Sequence, residues 1–203
     1  MKALVALPSG DCIKAMREDM LRVHSFLPYS RANGPGLRAV VWVQGCTLAC
    51  PGCFNPGTHP ADGGEPVSVD EVYDRIAGLG DTIEGITVSG GEPLQQAPEL
   101  IQLLRRLRNE TPLSMLVFTG YTCEEAQAMP GADGLLGCID VLIAGRYDQS
   151  QRLASGLRGS AHQTIHCLTN RYTQDEILST PIAEVIITPH GEVVSSGMDP
   201  MPK

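Results

Sequence analysis

Residues 45–57 read GCTLACPGCFNPG. Cys46, Cys50 and Cys53 place three of the chain's seven cysteines within eight residues, among prolines and glycines that prevent a continuous helix. The run just before them, AVVWV (39–43), is short, apolar and β-branched, which predicts a strand feeding straight into the thiol loop.

Working outward, the same unit recurs. GITV (85–88) predicts a second strand, ended by SGGEP (89–93). MLVFT (115–119), DVLIA (140–144), TIHCL (164–168) and EVIIT (184–188) predict further strands. Between them, Ser68 with Glu71 opens a helix through about Leu79, and Thr122 with Glu125 and Thr173 with Glu176 cap two more. Leu100, Leu103, Leu104 and Leu107 fall on one face of a fourth helix. Apolar strands alternating with helices give the fold class α/β, a mostly parallel sheet covered by helices. In such sheets ligands bind at the carboxyl ends of the strands, so the cysteine loop and SGGEP are expected side by side. No linker divides the chain. We expect an N-terminal extension over 1–25, one core domain over 26–195 and a tail over 196–203.

With 203 residues, a net charge of −8 and a pI near 5.0, the chain lacks the positive charge needed to grip nucleic acid. No apolar run reaches the ~18 residues of a membrane span, and the N-terminal apolar patch is too soon interrupted for a secretory signal. A cytoplasmic protein is expected. The odd cysteine count and tight cluster fit a reducing compartment.

Three chemistries are open for the thiols. Zinc takes Cys₃His sets, with His59 as the fourth ligand. Cys50-Pro51-Gly52-Cys53 matches a thioredoxin-like dithiol, although Asn55-Pro56-Gly57 is a poor helix start and leaves Cys46 without a role. A [4Fe–4S] cluster held by three thiolates keeps one iron open for an exogenous chelator. SGGEP suits such a chelator: Gly90 and Gly91 allow close approach to backbone, and Glu92 accepts hydrogen bonds from an ammonium group. Taken alone, GGEP also reads as a surface turn.

C-x₃-C-x₂-C followed by GGE resembles the radical S-adenosylmethionine (SAM) superfamily. More narrowly, NGPGLR (33–38), VQGC (43–46), CFNPGT (53–58), SGGEPL (89–94), FTGY (118–121), DVLIAGRY (140–147) and LRGSAHQTIH (157–166) resemble the activating enzymes of glycyl radical enzymes, including the activases of anaerobic ribonucleotide reductase. The resemblance runs from about Leu27 to Tyr172 and implies a partial (β/α)₆-type barrel. It implies one [4Fe–4S] cluster on Cys46, Cys50 and Cys53, with SAM as cofactor. It places Ser89, Gly90, Gly91 and Glu92 on the methionyl end of SAM, Gly52, Phe54 and Asn55 beside the cluster and SAM, and Thr119 on the ribose. The implied reaction is reductive cleavage of SAM to a 5′-deoxyadenosyl radical that removes a hydrogen atom from a partner's glycine. Flavodoxin or ferredoxin is the implied electron donor.

The chain departs from the pattern in three places. Gly52 stands where an aromatic residue is usual, Ala144-Gly145 where Asp-Gly is usual, and His162 where Asn is usual. These departures keep two alternatives in view: a small-molecule radical SAM enzyme of the 7-carboxy-7-deazaguanine synthase type, and a zinc or iron–sulfur protein without turnover. Cys12, Cys123, Cys138 and Cys167 show no C-x-x-C pairing and read as ordinary thiols, Cys123 alone being favoured as thiolate by a predicted helix start. His59, His162 and His166 read as hydrogen-bonding groups, Trp42 as core, and Arg105, Arg106 and Arg108 as a solvated helix face.

Overall fold

In the computed structural model, residues 19–53, 55–188 and 190–198 are described. Cys12, Phe54 and most of the expected N-terminal extension lie outside them. In chain order the elements are β1 (Met20–Ser30), β2 (Arg38–Val43), β3 (Glu65–Ser68), α1 (Val69–Ala77), β4 (Gly85–Gly90), α2 (Ala97–Glu110), β5 (Ser114–Thr119), α3 (Cys123–Gln127), α4 (Ala132–Leu136) and β6 (Val141–Ala144). The short hairpin β7 (Arg152–Ser155) and β8 (Arg158–Ser160) follows. Next come β9 (Thr164–Cys167), α5 (Gln174–Leu178), β10 (Ala183–Ile187) and β11 (Val193–Gly197).

Seven strands form one sheet in the order β3-β1-β2-β4-β5-β6-β9. Its centre, β2-β4-β5-β6, is parallel. Antiparallel β1 and β3 flank one side and antiparallel β9 the other. The mostly parallel sheet covered by helices is as expected, its parallel part holding four strands. β1 was not anticipated, and the boundary expected at residue 25 falls inside it. MLRVHSFLPYS mixes Arg, His and Pro into an apolar run, and its register with β2 slips between Leu27 and Ser30, so no clean two-residue period shows.

Helices form where caps and periodicity coincide. Ser68 Oγ accepts from Glu71 N at 3.1 Å to start α1. Thr122/Glu125 and Thr173/Glu176 make reciprocal capping boxes at α3 and α5. All four leucines predicted on one face of α2 are buried. They pack with Val72 and Ile76 of α1 against Ile86, Val88, Met115 and Val117 of the sheet. The alternate residues of β5 and β6 face the other side, where Leu116, Val141 and Ile143 join Leu157 and Ile177 in a smaller core.

Arg38 is fully buried on that inner side. Its guanidinium donates to Thr87 Oγ1 (3.0 Å), Ser114 Oγ (2.9 Å), Ile86 O (2.6 Å), Ser114 O (3.1 Å), Pro35 O (3.1 Å) and Tyr172 Oη (3.2 Å). Burial lowers its pKa from the usual arginine value, and the neighbouring Tyr172 pushes it back up. One side chain thus ties β2, β4 and β5 to the segment after β9. No helix among the described residues is long and apolar enough to cross a membrane.

Candidate active site

β2 and β4 lie in parallel register with Val43 opposite Gly90, so the cysteine loop and SGGEP leave the sheet at the same level. They then bind each other: Gly91 N donates to Val43 O (2.8 Å) and Glu92 N to Gly45 O (2.9 Å). The two glycines make this possible. A Cβ at Gly90 would lie 2.5 Å from the Val43 backbone, and one at Gly91 would press on the Gly45 carbonyl. Their missing side chains therefore serve the contact between the loops.

Three glutamines belt the cysteine loop to its surroundings. Gln44 donates to Gly57 O (3.1 Å) and Pro60 O (2.8 Å), and its Oε1 meets His24 Nδ1 at 2.7 Å. Gln95 accepts from Thr47 N (3.1 Å) and donates to Thr47 Oγ1 (2.7 Å) and Tyr121 Oη (3.0 Å). Gln96 donates to Gln44 O (2.9 Å). These side chains showed no motif; only their place beside SGGEP and VQGC hinted at them.

Cys46, Cys50, Cys53, Asn55, Ser89, Gly90, Gly91, Glu92 and Thr119 all line one cavity of about 1130 Å³ on the inner face of the sheet. Gly52 is not among them: it is exposed, with φ 73°, and the Gln149 side chain packs where its Cβ would be. Glu92 is buried and its carboxylate is engaged by the protein itself. Oε1 accepts from Leu94 N (2.9 Å) and Thr119 Oγ1 (2.8 Å), and Oε2 accepts from Gly120 N (2.7 Å). Burial pushes this carboxyl above the usual glutamate range, against the pull of those donors. The Thr119 hydroxyl, expected on a ribose, lines the cavity and donates to Glu92 Oε1, which clamps β5 to the SGGEP turn. Oε2, holding a single protein donor, keeps acceptor capacity for a cationic group.

The thiols favour a metal cluster over the other two chemistries. A redox dithiol needs a lowered thiol pKa at a helix start. The loop instead continues from Cys53 into a single 3-10 turn at Pro56–Thr58 rather than a helix. Among the described residues no three of His, Cys, Asp and Glu are grouped to hold one metal ion. Three thiols lining one cavity suit a polynuclear group that takes one thiolate on each of several metal atoms. Ligation by iron would discharge their protons.

Several wall residues went unanticipated. His24 and Phe26 come from β1, Gln163 reaches in from before β9, and Val193 to Met198 form a wall from the C-terminal hairpin. Trp42, expected as core, lines the cavity too. Gln163 Nε2 donates to Gly145 O (2.8 Å) while its Oε1 accepts from Gly159 N (2.8 Å) and Ser160 N (3.0 Å), which fixes the RGS segment at the rim. The remaining departures lie off the cavity: Ala144 is buried in the helix-side core and His162 is exposed. Cys123 is buried, and that burial raises its thiol pKa, against the expectation from its helix start. Arg106 and Arg108 are half-buried and paired, with Asp70 (2.6 Å) and Asp140 (3.0 Å), rather than simply solvated.

Comparison with known proteins finds a matching family model and relatives that share one name. A family model described as 4Fe-4S single cluster domain matches residues 32–166. The chain is 35% identical over 155 residues to the anaerobic ribonucleoside-triphosphate reductase-activating protein of Escherichia coli (strain K12), covering 73% of this chain and 99% of that one. The protein of the same name from Haemophilus influenzae is 37% identical over 150 residues (70% and 94%), and that of Enterobacteria phage T4 is 31% identical over 142 residues (68% and 88%). The crystal structure of QueE from Escherichia coli aligns over 51% of this chain and 54% of its own, at 16% identity and TM-score 0.38.

Proposed function

The chain belongs to the 4Fe-4S single cluster domain family, among the anaerobic ribonucleoside-triphosphate reductase-activating proteins, and from that premise we propose that it activates such a reductase by radical SAM chemistry. Cys46, Cys50 and Cys53 would hold the cluster. When bound, it would supply the low-potential electron for reductive cleavage of SAM, and with it the radical chemistry that removes a hydrogen atom from a glycine of the reductase.

The chain's own residues supply position. Glu92, with acceptor capacity left on Oε2, receives the methionyl ammonium, and Leu94, Thr119 and Gly120 hold its carboxylate in place for that task. Ser89, Gly90 and Gly91 line the cavity beside it, and Asn55 borders the cluster. Phe54 is assigned next to the cluster by motif position alone. Gly52 has no contact with the cavity, so its proposed role is to let the loop turn. The electron comes from a flavodoxin or ferredoxin, and the setting is the cytoplasm.

One observation carries the reading: three thiols and the SGGEP turn share a cavity wall, joined by Gly91 N–Val43 O and Glu92 N–Gly45 O. Neither Ala144 nor His162 touches that cavity, so those departures lend no support to a small-molecule substrate. The decisive experiment mixes reduced protein, SAM and the anaerobic reductase and records electron paramagnetic resonance. A glycyl doublet is expected. Its absence, with deuterium transferred to 5′-deoxyadenosine from a small molecule, would replace the reading.

A further inference from the structure

The C-terminal hairpin β10–β11 begins well past residue 166, where the match to the family model ends. It is nevertheless built into the site. The Glu184 carboxylate accepts from the Ser30 hydroxyl, from Arg31 N (2.9 Å) and from Ala32 N (3.4 Å). The Asn33 amide donates to Ser30 Oγ and Ser196 Oγ, both at 2.7 Å. Ser30, Asn33 and Ser196 are buried. A polar latch thus holds the hairpin on the loop between β1 and β2, and β11 becomes one wall of the cavity.

The other face of the hairpin carries Val185 and Ile187 of β10 with Val193 and Ser195 of β11, and its three apolar residues are exposed. In an antiparallel pair, residues of one parity share a face. Val185 and Ile187 of β10 therefore lie on one side with Val193, the register partner of Ile187. They are 47%, 71% and 64% exposed. Of the eight large hydrophobic residues exposed among the described residues, five fall between Leu178 and Val193. Such a concentration marks an interaction surface. Val193 belongs both to this face and to the cavity wall, so a chain lying on the face is led to the rim of the cavity. A small molecule has no use for an apolar surface outside the cavity, whereas a protein that must deliver a backbone glycine does.

We propose that the outer face of the β10–β11 hairpin, through Val185, Ile187 and Val193, is the docking surface for the glycine-bearing partner protein. The proposal rests on the activase reading above and adds the place of contact.

The test measures anaerobic binding of the reductase to the full-length, cluster-loaded protein by interferometry. It compares the natural chain, Ile187→Asp, and the pair Val185→Thr with Ile187→Thr. Neither position lines the cavity, and threonine keeps the strand preference. The expected result is a Kd raised about tenfold or more by Ile187→Asp and severalfold by the threonine pair. Partner-free SAM cleavage, which reports an intact fold and site, should stay within about twofold. An unchanged Kd overturns the proposal, as does failure of the natural chain to bind the reductase. A variant that dissociates a homodimer in sedimentation while leaving the Kd unchanged overturns it in favour of contact between copies. Binding that weakens as expected without any glycyl doublet from the natural chain refutes the activase reading and leaves the docking surface standing.

Discussion

At Gly52 the backbone is left-handed and the Gln149 side chain fills the space above it. A residue with a Cβ pays about 1–2 kcal/mol for that conformation and collides with Gln149 as well. Restoring the usual aromatic with Gly52→Phe should therefore lower iron retention after anaerobic reconstitution, from about four irons per chain in the natural protein. Adding Gln149→Gly should recover part of the loss; no recovery in an iron assay would locate the fault in the backbone alone. Asp140 makes a different kind of prediction. Burial raises its carboxyl, but Met115 N (2.8 Å), Thr169 Oγ1 (2.7 Å) and Arg108 outweigh it and hold the group below the usual aspartate range. A lowered carboxyl lends stability above the unfolded value of about 3.9 and loses it as the pH falls through the lower folded value. Asp140→Asn should cost about 2–4 kcal/mol at neutral pH and flatten the acid limb of the stability profile, read by urea unfolding from pH 2 to 7.

Elements meet at the site through backbone and glutamine contacts. Gln44 is 2% exposed and holds the carbonyls of Gly57 and Pro60. Gln44→Ala should leave them unpaired, at about 1–3 kcal/mol, and speed loss of iron to a chelator relative to the natural chain. An unchanged chelation rate would show that the belt does not support the thiols. This level was only partly legible in the sequence. The strands at Val41, Val88, Val117 and Ile143, the two reciprocal capping boxes and the leucine face of α2 were readable because period and end signals agree there. β1, β3, the β7–β8 hairpin and β11 were not. β3 has four residues including Pro66, β7–β8 turns on Leu157 at φ 63°, and β11 reads VVSSG with too little alternation to register. The three thiols and Glu92 were visible as a motif. That Glu92 is held by Thr119 and Gly120 depends on β5 lying beside β4, which is a property of the sheet and not of either segment.

Across the whole molecule, Arg38 fastens the inner side of the sheet as the leucines of α2 fasten the outer. Replacing it with Met should cost about 3 kcal/mol or more, since its hydrogen bonds carry a full charge. For a chain of this size that is a fall of about 6–12 °C in melting temperature by calorimetry. A smaller fall would mean that water enters to serve the orphaned carbonyls of Ile86 and Ser114. Net charge of −8 leaves a positively charged partner surface better suited to long-range approach than an acidic one, with an on-rate that should decline as salt is added. The close contact of Gly90 and Gly91 with Val43 and Gly45 reaches beyond this molecule into ancestry. Because the missing side chains and the opposing backbone occupy the same space, the two loops should tolerate exchange only as one block. A chimera with a crossover between residues 45 and 90 would assemble its centre only if the incoming half carried glycine at both places, so viable recombination points should fall on either side of 43–92.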